Sequence, residues 1–364
     1  MKKMKVYIDP RTNIVYASYY IHGLYEIAGR PNVRFSIKPF KGLPKTNGLD
    51  DFDHYFSFTI HQGDKVLKVV IDFRDKVHLN QTALSWCDVY GKVNYNQSEI
   101  DRTQLSKSDR NKIMPVGTNF GIKIWNPFLS GYYLLRNYLR CGFSPGVSFS
   151  SFLQGYRWQM KRAGIRDYKP EEAENGYVFF ISTLWKNDKN NDDCNKLRAQ
   201  YIRSCRSQDL TFEGGLFTEN KNAENGYADI VTNQFIHHTD YITRIKKSMV
   251  TFSTPAVWGC HGWKLGEFLA MGKAIISSTF QNEMPVPLKH GQHIHFVNNE
   301  KELNEAVQKI TTDKAYRETL EKGAATYYQE YIQPAVVISK LMKHHLQAEQ
   351  MVVDLPRVKT LQPL

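Results

Sequence analysis

The run Met249-Val250-Thr251-Phe252-Ser253-Thr254-Pro255-Ala256-Val257-Trp258-Gly259-Cys260-His261-Gly262-Trp263-Lys264-Leu265-Gly266-Glu267-Phe268-Leu269-Ala270-Met271-Gly272-Lys273-Ala274-Ile275-Ile276-Ser277 holds one complete structural unit. Met249–Ser253 is short and apolar enough for a buried strand. Gly259 and Gly262 punctuate the loop that follows, and Gly272 closes a helix predicted over Lys264–Met271. Leu265, Phe268 and Leu269 fall on one face of that helix, and Ala274–Ser277 reads as the next strand. In an open α/β sheet, ligands bind beyond the carboxyl ends of the strands, which is where this loop stands.

The same alternation extends both ways. Upstream, Tyr177–Ser182 reads as a strand, Asp193–Ser204 as a helix, Leu210–Glu213 as a strand and Thr239–Lys247 as a helix. Downstream, His293–Val297 is the last strand, and a long helix starts at Asn299 with Glu302 as a capping-box partner. Its Leu303, Ala306, Val307 and Ile310 share one apolar face. Alternation on this scale predicts a doubly wound parallel sheet.

The first half is α/β of a less regular kind. It reads as a strand at Lys5–Asp9, a helix over Ala17–Ala28 ended by Gly29, and strands at Arg34–Pro39, Phe56–Ile60 and Val66–Phe73. Short strands at Asp88–Asn94 and Met114–Gly117 flank a polar loop from Gln97 to Lys112, and helices follow around Tyr132–Arg140 and Phe152–Arg162. The polar stretch Asp167–Gly176, with Pro170 inside it, is the best boundary in the chain. The expected layout is an N-terminal domain over 1–170, a C-terminal domain over 177–332 and a final helix and tail over 333–364, with Pro170–Gly176 as linker.

A chain of 364 residues has room for two domains. Hydrophobic residues at 41% and charged residues at 23% are globular values and exclude wholesale disorder. No apolar run approaches the length of a membrane span. The basic start Met1–Lys5 runs straight into Val6-Tyr7-Ile8-Asp9 with no apolar segment behind it, so a cytoplasmic setting is expected. The 5 cysteines are scattered without a C-x-x-C pair, which fits a reducing compartment and gives no zinc signature. A formal charge of +12 suits an anionic partner (nucleic acid, a phosphorylated ligand or an anionic membrane face) and equally a basic surface with no such role. Lys161, Arg162, Arg166 and Lys169 cluster before the boundary, and weak, salt-sensitive contact with anionic bilayers is expected of them.

The start of the Lys264–Met271 helix offers free backbone N–H groups and the positive end of a dipole, with Lys264 in the first turn. That makes a site for a phosphate or diphosphate. Glu267, about one turn further in, could accept hydrogen bonds from sugar hydroxyls. The same spacing fits a plainer arrangement, with Leu265, Phe268 and Leu269 in the core and Lys264 and Glu267 on a solvated face.

Glu267-Phe268-Leu269-Ala270-Met271-Gly272-Lys273-Ala274-Ile275-Ile276-Ser277 resembles the glutamate-led helix–strand signature of retaining GT-B glycosyltransferases of the group 1 type. The similarity continues through Glu283–Gly291, His293–Val297 and Glu302–Ile310 with Asp313, Arg317 and Leu320, covering roughly residues 239–332. The resemblance implies two Rossmann-like domains facing a cleft, with a nucleotide-sugar in the second and the acceptor in the first, and the final helix returning to the first. The activity it implies is transfer of a sugar from a nucleotide-sugar to a saccharide or lipid-linked acceptor, in a bacterial surface-polysaccharide pathway. No metal and no cofactor beyond the donor are implied. Glu267 would take the family's ribose-binding role, and Gly262 and Phe268 would lie with it against the donor. Basic groups against the leaving diphosphate would be Lys264 and Lys186, with Arg244 and Lys246 less favoured because they end a helix whose dipole they complement. The family places a first glutamate eight residues before the second; this chain has Gly259 there, and His261 is the nearest polar group that could contact the donor sugar instead.

Two other classes fit the residues. A GT-B-like binding module without activity is consistent with Gly259, and a nucleic-acid-binding protein is favoured by charge alone. In the first half, Tyr20-Ile21-His22-Gly23 and Asn119 follow strands, where core or turn roles suit them. Asp51-Phe52-Asp53 has the D-x-D form of a metal site but sits in a polar turn, and Asp72-Phe73-Arg74-Asp75 reads as a strand end with a local ion pair. No P-loop, G-x-S-x-G or H-E-x-x-H motif is present.

Overall fold

The computed structural model describes residues 4–43, 55–141, 148–185, 192–219, 226–256 and 259–349. The chain divides into two compact units: Met1–Gly164 with Glu283–Pro285 and Tyr331–Leu364, and Ile165–Asn282 with Val286–Glu330. Both are α/β.

In the first unit, β1 (Lys5–Ile8), β2 (Val33–Phe35), β3 (Tyr55–Gln62), β4 (Lys65–Asp72), β5 (Val89–Lys92) and β6 (Ile113–Pro115) form a 6-stranded sheet in the order β2-β1-β3-β4-β5-β6. β3 runs antiparallel to both β1 and β4, and the other neighbours are parallel. Chain length dictates this. Gly63 and Asp64 alone separate β3 from β4, with Gly63 at φ 65, whereas a parallel pair needs a crossover. The first sheet is therefore mixed. At the centre of β4, Val69, Val70 and Ile71 are fully buried, as a strand covered on both faces must be.

Around this sheet stand α1 (Ile14–Ala28), α2 (Gln81–Trp86), α3 (Gln97–Arg102), α4 (Lys107–Lys112), α5 (Pro127–Arg140) and α6 (Phe149–Met160). The expected polar loop from Gln97 to Lys112 is instead the two short helices α3 and α4. Their signals are caps: Asn96 accepts from the Glu99 N–H and Ser106 from the Asp109 N–H. Too short and polar to show an apolar period, they read as loop. At the ends of β1 and β4 an Asp-x-Arg pair recurs, Arg11 on Asp9 at 2.9 Å and Arg74 on Asp72 at 2.7 Å. Asp72 also faces the buried Lys92 at 3.1 Å. Burial alone would raise the Asp72 carboxyl, but Lys92, Arg74 and Tyr90 outweigh it and hold it below the usual range.

The second unit has two parallel three-stranded ladders. One is β7 (Tyr177–Thr183), β8 (Thr211–Phe217) and β9 (Val231–Thr232); the other is β10 (Thr251–Ser253), β11 (Ile275–Ser277) and β12 (His295–Phe296). They adjoin at β7 and β10, where the Met249 N–H donates to the Tyr177 carbonyl at 2.9 Å and the Phe179 N–H to the Ser248 hydroxyl at 3.0 Å. Across both, the strands stand third, second, first, fourth, fifth, sixth. That is the doubly wound order, with its reversal between β7 and β10. Five helices accompany them: α7 (Asp192–Arg206), α8 (His238–Lys247), α9 (Trp263–Ala270), α10 (Glu300–Thr312) and α11 (Lys314–Tyr327). Tyr201 of α7 stacks on Phe252 of β10 at 4.7 Å between ring centres, in a core that includes Phe180, Val307 and Leu320.

The expected linker Pro170–Gly176 belongs to the body of the second unit, and the division falls earlier, at Gly164. Glu171 pairs with Lys246 at 2.5 Å and Glu174 with Lys247 at 3.3 Å, and the Glu174 N–H donates to the Lys247 carbonyl. The carboxylates that made the segment look like linker are the groups that fasten it.

The final helix, Pro334–Glu349, returns to the first unit and lies on α1. The Tyr19 hydroxyl donates to the Ile332 carbonyl at 2.6 Å, and a methyl on Gly23 would stand 2.5 Å from the Pro334 carbonyl oxygen. Gly23→Ala gains helix propensity of about 1 kcal/mol, but forcing the two backbones apart costs about 1–3 kcal/mol. The expected result is a lower urea midpoint than the parent's; an unchanged or raised midpoint would show that the approach is not tight.

Candidate functional site

The reversal between β7 and β10 puts the carboxyl ends of two adjacent strands beside the start of α9. Gly262 is the N-cap of α9 without a side chain to cap it, and a Cβ there would meet nothing within 4 Å. The Leu265 N–H of the first turn bonds back to the Gly262 carbonyl at 3.2 Å.

Lys264, in the first turn, turns back on β7 and not into solvent. Its ammonium donates to the Ile181 carbonyl and lies 5.1 Å from the Phe180 ring centre. Arg198 comes from α7, whose buried face runs Asn195, Arg198, Ala199, Ile202. Its guanidinium donates to the Thr183 carbonyl at 3.3 Å and to the Thr254 hydroxyl at 3.2 Å. Two cations thus converge on the last carbonyls of β7. Among the described residues, no carboxylate forms an ion pair with either. Burial and the Arg198 charge push the Lys264 ammonium down to about 7, with Glu267 opposing. Burial likewise lowers Arg198, with Cys194 opposing.

Glu267 is 4% exposed, and its carboxylate accepts from the Tyr241 hydroxyl at 3.1 Å. Tyr241, on α8, stacks on His238 at 5.8 Å. The solvated-face alternative for Lys264 and Glu267 does not hold, since both point inward along the strand ends. Phe268 is wholly buried and its carbonyl accepts from the Lys273 N–H at 3.0 Å, so it is a core residue and does not lie against a ligand as expected. His261 is buried with its ring edge-on to Phe280 at 5.2 Å. Lys186 and the Asp51-Phe52-Asp53 turn lie outside the described residues. Arg244 and Lys246 are engaged elsewhere, Arg244 with Glu213 at 3.5 Å and Lys246 with Glu171.

Gly259 has a structural reason. Its φ is 68, and a Cβ would stand 2.4 Å from the Gln281 side-chain oxygen. Asn282 donates to the Gly259 carbonyl at 3.0 Å. Gln281, in the loop after β11, fills the space a side chain at 259 would enter. In the first unit, His22 pairs with Glu26 at 3.4 Å, and Asn119 is buried with its amide on the Tyr16 carbonyl at 3.2 Å.

The sequence pointed to Lys264, Glu267 and Gly262 and missed Arg198 and Gln281. For Arg198 a signal existed: a cation in the apolar period of a helix is a charge placed in the core and needs a reason. For Gln281 there was none, because it is brought to Gly259 by the loop after β11.

The chain matches no protein-family model and no curated protein. Among solved structures it is similar to a glycosyltransferase from Rickettsia africae, at 11% identity and TM-score 0.41, covering 72% of this chain and 64% of that one. A trehalose-phosphate synthase from Burkholderia vietnamiensis gives 9% identity and TM-score 0.41 over 74% of this chain and 65% of that one. HepE from Anabaena, in complex with UDP-glucose, gives 12% and 0.36 over 74% and 80%. The chain spans less than two thirds of the length of the Rickettsia and Burkholderia proteins.

Gly259→Glu is expected to lower the melting temperature, because a left-handed φ costs a non-glycine residue about 1–2 kcal/mol before the Gln281 contact is counted. Adding Gln281→Ala relieves the contact but not the backbone strain, so stability returns in part. Full stability in the single variant would show that the loop accepts a side chain at 259.

Proposed function

We propose that the second unit binds a nucleotide-sugar and that the protein is a GT-B glycosyltransferase, passing the sugar to a saccharide or lipid-linked acceptor. The observation that carries this reading is the pair of cations, Arg198 and Lys264, held at the end of β7, with Glu267 acting on Lys264 but no carboxylate in an ion pair with either among the described residues. Like charges brought together out of water need an anion, and a diphosphate supplies it. The N-terminus of α9 adds a favourable dipole at the same point. Glu267, held by Tyr241, is placed one turn on to accept from ribose hydroxyls. In the transfer, an acceptor oxygen bonds to the anomeric carbon, the sugar–diphosphate bond breaks, and the acceptor hydroxyl's proton passes to the departing diphosphate oxygen. The departing diphosphate keeps the electron pair, and Lys264 and Arg198 stabilise its growing charge. His261, in the loop leading to α9, is the side chain this reading assigns to the donor sugar. The five free thiols fit a cytoplasmic setting, and surface-polysaccharide synthesis is the pathway class the resemblance suggests.

A second reading, a nucleotide-sugar-binding module that does not transfer, is favoured by one feature: Gln281 fills the place where the family keeps its first glutamate. Consumption of the donor in the presence of saccharide acceptors separates the two.

A thermal-shift panel of UDP, GDP, CMP and dTDP sugars tests the binding step, since a ligand that binds the folded state raises its melting temperature. One class is expected to stabilise the protein; none doing so overturns the reading. Glu267→Gln should weaken that ligand by about 1–3 kcal/mol, through loss of charge-assisted bonds. Lys264 adds a pH signature. An anion favours its charged form, so affinity is full below about 7 and falls as pH rises above that value, towards the raised pKa of the complex. Isothermal titration with a nucleotide-sugar, whose diphosphate carries no proton of its own near neutrality, should show this slope in the parent and lose it in Lys264→Met.

A further inference from the structure

Helix α5 carries apolar residues on two sides. Asn126 caps it, accepting from the Leu129 N–H, and Pro127 occupies its first turn, so its start is well defined. Its inward side mixes one aromatic ring with polar groups: Tyr133 stacks on the buried Trp125 at 4.5 Å, Ser130 donates to Gln159 of α6 at 3.2 Å, and Asn137 donates to the Tyr156 hydroxyl at 2.9 Å. Its outward side is apolar. Phe128 is 89% exposed, Tyr132 51%, Leu135 60% and Leu139 64%, at spacings of four, three and four that place all of them on one stripe. Phe149 of α6 borders the stripe, because Tyr138 of α5 meets it edge-on at 4.9 Å, and it too is exposed.

Charge is segregated along the same stretch of chain. From Lys123 to Arg162 it has six Lys and Arg residues and no Asp or Glu. Arg136 lies on the flank of the stripe with its guanidinium 5.4 Å from the Tyr132 ring centre. A long basic side chain beside an apolar stripe can keep its stem in hydrocarbon and its head among phosphates. A protein groove would need carboxylates to match this field, and a second copy of the same face would oppose it with like charge. An anionic bilayer matches both the stripe and the charge.

We propose that the outward face of α5 is a docking surface for an anionic lipid bilayer, with the helix lying in the plane of the interface. This does not rest on the nucleotide-sugar reading, which concerns the other unit.

The test is flotation of the full chain with vesicles of phosphatidylcholine alone or mixed with phosphatidylglycerol, beside sedimentation of the lipid-free protein. Co-flotation with the mixed vesicles at low salt is expected, with release as salt approaches about 1 M, where charges are screened within about 3 Å. Leu135→Ser with Leu139→Ser should weaken binding about tenfold and leave the melting temperature and the nucleotide-sugar response unchanged. If that variant does not fold, Arg136→Glu serves in its place, with weaker flotation expected. No flotation at low salt, or flotation undiminished in folded variants, overturns the proposal. So does a lipid-free dimer that the leucine substitutions dissociate, because the face would then join two copies.

Discussion

Two positive charges held together at the end of one strand set the terms for the second unit. Lys264 fastens α9 to the Ile181 carbonyl, and Arg198 fastens α7 to the Thr183 carbonyl, so helices from both sides of the strand reversal are pegged to β7. The first unit shows what a neutralised counterpart looks like. There Lys92 and Arg74 share one carboxylate, Asp72, and the cluster is closed by Tyr90. Both clusters sit at carboxyl ends of strands. They differ in how the negative charge is placed: Asp72 is in direct ion-pair contact with its two cations, whereas Glu267 acts on Lys264 without pairing with it among the described residues.

How far this could be read beforehand depended on whether each feature is written locally. The β10–α9–β11 unit was legible because its apolar residues follow the period of the element they belong to and its glycines stand at the joints. The helix after Asn299 was legible for the same reason, and Asn299 does accept from the Glu302 N–H at 2.9 Å. Two-residue β9 has no pattern to see. The antiparallel β3–β4 pair was marked by the brevity of Gly63-Asp64, which separate readings of the two strands passed over. In the site, Lys264 and Glu267 stood out because a motif surrounds them. Arg198 is more than sixty positions upstream on another helix, and packing alone brings it in.

A stripe of apolar residues on a helix is equally visible whether it is covered or bare. Tyr132–Arg140 reads as a helix in the sequence, and so it is. The sequence does not say which of its apolar residues meet the rest of the protein, because α5 has them on two sides: Tyr133 stacks on Trp125, while Phe128, Tyr132, Leu135 and Leu139 stay exposed. Its inward contacts also include Ser130 and Asn137, residues that in most surface helices would point to water.

The return of the last helix to the first unit has a consequence for how the molecule is made. Residue 19 bonds to residue 332 across almost the whole chain, and Gly23 waits for Pro334. During synthesis the covering partner of α1 thus leaves the ribosome about 300 residues after α1 itself. The second unit is nearly continuous in sequence and can close while that side of α1 is still bare. The nascent chain therefore carries an exposed seam on α1 until Pro334–Glu349 has been made. Chaperone demand and the harm done by removing that helix should both be concentrated there.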